Sequence, residues 1–296
     1  MIVDGVFSGG GVKSFAYIGA LQACEEKGIQ FARVAGSSAG AIVAGLLAAG
    51  YQAKELKEIM LNLDLQQFLD GGKLEKYFPF AKWLAVYRTL GLYKGDRLEL
   101  WLAELLKEKG IVSFNDITKV EMKITTADLT LGRLIILPDD LTKIYGINQN
   151  AFSVAKAIRM SASLPYFFRP IKLFDQQARK HLLVDGALLS SLPMGIFKTD
   201  QSKQKRPVLG FQLQSKENYF TNFQIDNGLR FTKTLIGTMQ HAQDLKYIEQ
   251  HDKRNIIFLD TDAVNVADFG LSQQRREQLI EKGYHKTKHF LQKQLV

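Results

Sequence analysis

Two short apolar strands, each running into small residues and then into a helix, constrain this chain more than any other feature. Val3–Ser8 reads as a strand that enters Gly9-Gly10-Gly11, and a helical pattern follows over Lys13–Lys27. Its apolar positions are Phe15, Ile18, Leu21 and Ala23, with Gly28 placed to end it. Phe31–Gly36 is a second strand, and Ala39–Ala49 is a small-residue helix ended by Gly50. A strand–loop–helix unit used twice in succession sends both strands the same way. The expected fold class is therefore α/β, with a mainly parallel central sheet.

The rest of the chain continues the alternation. Ala53–Leu69 carries Leu56, Ile59, Met60 and Leu63 on one helical face, and Gly71-Gly72 interrupts it. Asp96 is placed as the N-cap of a helix reaching Lys109, with Glu99 three residues on. Glu121–Ala127 and Arg133–Leu137 read as strands joined by a turn over Asp128–Gly132, and Ser153–Ser161 as a helix stopped by Pro165. His181–Val184 is a strand that delivers Asp185-Gly186; Pro207–Leu213 and Asn255–Asp260 are later strands, and Ser272–Leu291 is a basic closing helix. Lys198–Arg206 reads as a surface loop. No linker divides the chain, so a single domain over residues 1–296 is expected.

The junction between the second strand and its helix spells Gly36-Ser37-Ser38-Ala39-Gly40, a G-x-S-x-G pattern. Such a turn exposes the central serine hydroxyl, and Gly36 and Gly40 leave room for a strained backbone. The N-terminus of the helix favours negative charge on that oxygen. Ser38 is the candidate nucleophile; the competing reading is a serine that only caps the helix. The upstream glycines favour the first, because N–H groups of Gly10 and Gly11 can form an oxyanion hole. The nucleotide readings of the same loop fail. A P-loop ending in Lys13-Ser14 requires glycine at Phe7 and Val12, and a dinucleotide fingerprint requires glycine or alanine at Ser14.

The base is less direct. Three of the five histidines (His181, His241, His251, His285, His289) lie in polar helical segments, and His181 sits just before a strand. Asp185 closes the apolar run Leu182-Leu183-Val184 and is followed by Gly186-Ala187, which is how a carboxylate reaches a buried site; an ordinary Asp-Gly turn is the alternative. Asp128 is the reserve carboxylate. Lys13 either orients the loop and meets an anionic head group, or is a solvated lysine.

Gly-Gly-Gly-x-Lys, then G-x-S-x-G, then Asp-Gly-Ala, in that order, resembles the patatin-like phospholipases, and within them the bacterial branch similar to neuropathy target esterase. The likeness spans about Val3 to Pro193, including Ser161–Pro165. It implies a three-layer α/β/α fold and a Ser38–Asp185 catalytic dyad without histidine. It also implies an oxyanion hole at Gly9, Gly10 and Gly11, and calcium-independent cleavage of phospholipid, lysophospholipid or related lipid acyl esters with no cofactor or metal. Gly36, Gly40, Gly186 and Lys13 are the supporting residues. Ser14 departs from the family pattern, which has glycine after the basic residue. Two other readings stay open: a non-catalytic lipid- or anion-binding module, and a Ser-His-Asp esterase.

Charge and cysteine content bound the partners. The net charge is +9, with no recognisable nucleic-acid motif, so an anionic membrane surface is the expected basic-face partner rather than nucleic acid. Cys24 is the single cysteine and reads as packing in a reducing compartment. No secretory leader pattern opens the chain, and the uncharged stretch Val34–Gly50 is explained by the elbow helix. A cytoplasmic protein, peripheral to a membrane at most, is the expectation. Tyr77–Arg88 interleaves aromatics such as Phe80 and Trp83 with cations, which suits a lid, a membrane contact or buried core.

Overall fold

In the computed structural model, residues 1–71, 86–197, 206–214, 253–261 and 264–294, with residues 234 and 238, are described. The strands are β1 (Ile2–Phe7), β2 (Gln30–Ser37), β3 (Gly91–Tyr93), β4 (Glu121–Asp128), β5 (Arg133–Leu137), β6 (Tyr166–Phe168), β7 (Ile171–Phe174), β8 (Lys180–Asp185), β9 (Val208–Gln214) and β10 (Ile256–Asp260). The helices are α1 (Phe15–Glu26), α2 (Ala39–Ala48), α3 (Ala53–Asn62), α4 (Asp96–Glu108), α5 (Asp139–Tyr145), α6 (Val154–Ser161) and α7 (Gln273–Gln294).

Eight strands form the central sheet in the order β10-β9-β1-β2-β4-β8-β7, with β5 also pairing β4; β3 and β6 form a separate small sheet. β10, β9, β1, β2 and β4 run parallel, while β5 and β8 are antiparallel to β4. The expected mixed α/β fold with a mainly parallel central sheet is what the chain adopts. Alternation along β1 shows why the central strands are apolar throughout. Val3 and Phe7 enter one core and Val6 another, so both faces of the sheet are covered.

On one side α1 packs against α7 at backbone distance. A Cβ on Gly19 would stand 1.8 Å from the Ile280 carbonyl oxygen, and one on Gly283 would stand 1.9 Å from that of Ala16. Two mid-helix glycines, each unfavourable for an isolated helix by about 1 kcal/mol, are kept by this contact. Cys24 lies buried in the same layer, and burial pushes its thiol up to about 12, the behaviour of a packing residue.

Three sequence expectations shift. The helix from Ala53 stops at Asn62, because Asp64 turns outward to accept the Gln66 N–H and starts a 3-10 turn over Leu65–Phe68. Asp96 is the first residue of α4 rather than its cap. Gly95 precedes it at φ 78°, and distant Asp70 accepts the N–H groups of Gly95 and Arg97. Asp128 ends β4 fully buried, not in an open turn. Most of the aromatic stretch, residues 77–85, and most of the loop expected over Lys198–Arg206 lie outside the described residues. Among the described residues, no helix is long and apolar enough to cross a membrane.

Candidate active site

The register of β4 brings the site together. Ser37, the last residue of β2, faces Thr125 of β4. Asp185, the last residue of β8, faces Thr126. β5 pairs residues Ile124 to Asp128 of β4 as well, which places β2 and β8 on one shared edge. β8 thus takes up the edge of β4 where β2 leaves it, and the two strands meet end to end.

Ser38 occupies that junction with φ 55° and ψ −124°, a conformation that costs an L-residue about 1–3 kcal/mol. The turn is possible because the backbone closes on itself: a Cβ on Gly36 would stand 2.2 Å from the Gly40 carbonyl carbon. Gly40 in turn lies against β1, 2.2 Å from the Phe7 carbonyl oxygen by the same measure. Ser38 precedes α2 without capping it by its side chain. Its Oγ instead donates to Asp185 Oδ2 at 2.6 Å.

Asp185 is 1% exposed. Its Oδ1 accepts the Ala187 N–H at 2.8 Å, and its own N–H donates to the Ser163 carbonyl at 3.0 Å. Burial raises the carboxyl to about 6, against the opposing pull of the Ser38 hydroxyl and the Ala187 N–H. Gly186 lies against β4, where a Cβ would stand 2.2 Å from the Thr125 carbonyl oxygen.

The glycine loop lies beside this pair. A Cβ on Gly9 would stand 3.2 Å from that of Ser38 and 2.7 Å from that of Ala187. Expectation and structure part at this residue, because the Gly9 N–H donates to the Ser191 carbonyl at 3.1 Å and is not open to an oxyanion. The N–H groups of Gly10 and Gly11 have no acceptor among the described residues. Ser14 sits at φ −60° and ψ −12° at the end of a 3-10 turn over Gly11–Ser14, a right-handed conformation serine adopts as readily as glycine. Lys13 is not a solvated lysine: it is 7% exposed, without an ion pair among the described residues, and burial lowers its pKa.

The histidines are elsewhere. His181 lies within β8, buried, with Nδ1 2.9 Å from Asp128 Oδ2 and Nε2 3.3 Å from Asp175 Oδ2. Asp128 also accepts from the Tyr145 hydroxyl, so the reserve carboxylate serves this network and not Ser38. His285 and His289 lie on the outward side of α7, and His241 and His251 are outside the described residues. No group of three or more His, Cys, Asp or Glu side chains is placed to hold a metal ion among the described residues.

One residue, marked by sequence only as part of the Ser161–Pro165 stretch of likeness, has a role at the site that the sequence reading did not assign. Ser161, at the end of α6, accepts the Ser38 N–H on its Oγ at 2.9 Å and is fully buried. Two residues on, Ser163 holds the Asp185 backbone through its carbonyl. The available signal was the string Ser161-Ala162-Ser163-Leu164-Pro165, small residues where a helix is forced to end.

Comparison with known proteins follows the same line. The Patatin-like phospholipase family model matches residues 5–198. The chain is 44% identical over 291 residues to the uncharacterized protein YqhO of Bacillus subtilis (strain 168), covering 98% of each. It is 29% identical over 179 residues to triacylglycerol lipase ptl3 of Schizosaccharomyces pombe (strain 972 / ATCC 24843), covering 58% of this chain and 34% of that relative. VipD from Legionella pneumophila shares the fold, with a TM-score of 0.61 over 98% of this chain and 67% of that one, at 17% identity.

Proposed function

This chain belongs to the patatin-like phospholipase family, and from that premise we propose that it is a serine acyl hydrolase of lipid esters. The observation that carries the reading is the 2.6 Å hydrogen bond from Ser38 Oγ to buried Asp185 Oδ2, on a serine held in a strained turn. In this reading Ser38 is the nucleophile, Asp185 the general base, and the Gly10 and Gly11 N–H groups the oxyanion donors.

Ser38 Oγ attacks the ester carbonyl as its proton passes to Asp185. The oxyanion forms against the Gly10 and Gly11 N–H groups and the N-terminus of α2, each hydrogen-bond donor being worth about 10²–10³ in rate. Collapse breaks the ester C–O bond, and the leaving alcohol takes the proton from Asp185. Water then attacks acyl-Ser38, giving its proton to Asp185, and the fatty acid leaves as Ser38 is reprotonated. A carboxyl raised to about 6 suits this work: it is ionised at neutral pH yet more basic than an exposed aspartate.

The substrates are phospholipids, lysophospholipids or related lipid acyl esters, cleaved without calcium by a single domain over residues 1–296. The net charge of +9 supports peripheral contact with an anionic membrane by an otherwise cytoplasmic protein. The direct test is covalent labelling by a fluorophosphonate, together with release of fatty acid from a lipid panel in the presence of chelator. Both are expected from the wild type and neither from Ser38→Ala. A wild-type chain that does neither ends the proposal.

A further inference from the structure

The geometry points to a docking surface for an anionic lipid bilayer on two adjacent hairpin tips beyond the carboxyl end of the parallel strands. The assignment rests on the reading of the chain as a lipid hydrolase, and it names where that enzyme meets its membrane.

β4 continues past Thr126 to Asp128 and turns through residues 129–132 into β5. β8 runs back alongside it from Asp185 to Lys180, and residues 175–179 join it to β7. The two tips are laced together: the Leu129 N–H donates to the Leu182 carbonyl at 2.9 Å, and the Leu182 N–H to Thr130 Oγ1 at 3.0 Å. Lys172 faces Leu182 and Phe174 faces Lys180 across the β7–β8 ladder. Lys172, Phe174 and Lys180 therefore share one outward face, while Leu173 and His181 point into the protein.

What this corner exposes is specific. Leu129 is 51% exposed, Leu131 43% and Phe174 55%, two large apolar side chains on one turn and one at the strand end beside the other. Between them stand Arg133, Lys172 and Lys180, all exposed and without an ion pair among the described residues. No acid is exposed over residues 129–133 or 172–180. The two carboxylates nearby, Asp128 and Asp175, are buried behind the tips and held by His181, with Arg179 also bound to Asp175. Apolar side chains among unpaired cations, with every anion withdrawn, complement a surface of acyl chains under negative head groups. The buried network behind the tips also holds them in place, so docking orders little backbone.

Position agrees with chemistry. Leu182 is three strand residues from Asp185, about 10 Å along β8. A bilayer resting on these tips would lie at the end of the sheet where Ser38 and Asp185 meet.

The test reads binding apart from catalysis. Chains carrying Ser38→Ala are sedimented with vesicles of phosphatidylcholine and phosphatidylglycerol, and with phosphatidylcholine alone. Stronger binding to the anionic vesicles is expected. Lys172→Gln with Lys180→Gln should weaken it about thirtyfold, from the loss of two cations near an anionic surface. Leu131→Ser with Phe174→Ser should weaken it about tenfold or more. Lys286→Gln with Lys293→Gln, on exposed positions of α7, should change it less than about threefold. The surface assignment is overturned if the parent ignores the anionic vesicles, if the tip variants bind like the parent, or if the α7 pair loses as much. Circular dichroism of each variant establishes that it is folded. Fluorophosphonate labelling of wild-type Ser38 in lipid-free buffer reads the hydrolase proposal by itself, so failure of one is not mistaken for failure of the other.

Discussion

Ser38 and Asp185 meet because they end two strands that occupy one edge of β4 in succession. Ser37 faces Thr125 and Asp185 faces Thr126, so the hydroxyl and the carboxylate come within 2.6 Å although 147 residues separate them in sequence. The placement is a property of strand register, which one residue of slip would destroy by turning each side chain to the other face of the sheet.

Removing either partner should therefore end turnover while leaving the sheet intact. Ser38→Ala should lower kcat at least about 10³-fold, and Asp185→Asn about 10²–10⁴-fold, with thermal unfolding still cooperative in both. Fluorophosphonate labelling should vanish in the first and slow sharply in the second. Near-normal hydrolysis by Asp185→Asn would instead point to a histidine as base.

The raised carboxyl of Asp185 fixes the pH behaviour. Its folded value of about 6 lies above the ordinary 3.8, so the ionised form proposed as the base is lost by protonation as pH falls through 6. The rate profile should show an acid limb with an apparent pKa of about 6, and that limb should be absent from residual Asp185→Asn turnover. Stability carries the opposite sign. Ionising Asp185 in its buried site opposes folding, and this penalty is absent below about 4, grows between 4 and 6, and is complete above 6. The move from 3.8 to about 6 corresponds to roughly 2–3 kcal/mol. Asp185→Asn should accordingly gain stability over wild type at pH 8 and lose that advantage near pH 4, as thermal unfolding at the two values would show.

Ser161 holds Ser38 from behind by accepting its N–H. Ser161→Ala leaves the half-buried Ser38 N–H without its acceptor, at about 1–3 kcal/mol, and frees the strained turn to relax. We expect kcat to fall about 10–100-fold with KM unchanged, because Ser161 touches Ser38 and not the substrate. Ser161→Thr, which keeps the oxygen, should recover much of the loss. The acid limb near pH 6 should remain, as Asp185 is untouched. A change in KM alone would remove Ser161 from this role.

Sequence reading reached the parts of the site whose chemistry is local. Gly36 and Gly40 announce a tight turn because a Cβ at either would run into backbone, and Asp185 stands out at the end of an apolar strand. What stayed hidden depends on distant partners. Nothing local says that the Gly9 N–H is taken by Ser191, that Asp70 caps α4, or that His181 lies between Asp128 and Asp175. The short strands β3, β6 and β7 carry too few residues for a period to emerge, and they exist through pairing alone. The two readings of Lys13, loop-orienting or solvated, stayed open for the same reason: its burial comes from surroundings that a window of sequence does not contain.

Arg159 shows the same dependence on distant partners. It is fully buried in α6, and burial lowers its guanidinium to about 10, with the more distant Glu99, Asp70 and Asp96 opposing the shift. Its donors go to neutral oxygens: Ser163 Oγ at 2.6 Å, the Lys94 carbonyl at 2.6 Å, the Gly95 carbonyl at 3.0 Å and the Arg169 carbonyl at 3.3 Å. One planar fork thereby ties the start of α4, the link between β6 and β7, and the Ser163 turn that receives the Asp185 N–H. Arg159→Met fills the volume but leaves those acceptors unpaired, and should cost about 2–4 kcal/mol in chemical denaturation. Arg159→Lys keeps the charge yet offers three donors from a single point, so it should recover only part of that loss. Because Ser163 shifts with its partner, kcat of both folded variants should drop while fluorophosphonate still reaches Ser38. Equal stability of the methionine variant and the wild type would show that the fork ties nothing the fold needs.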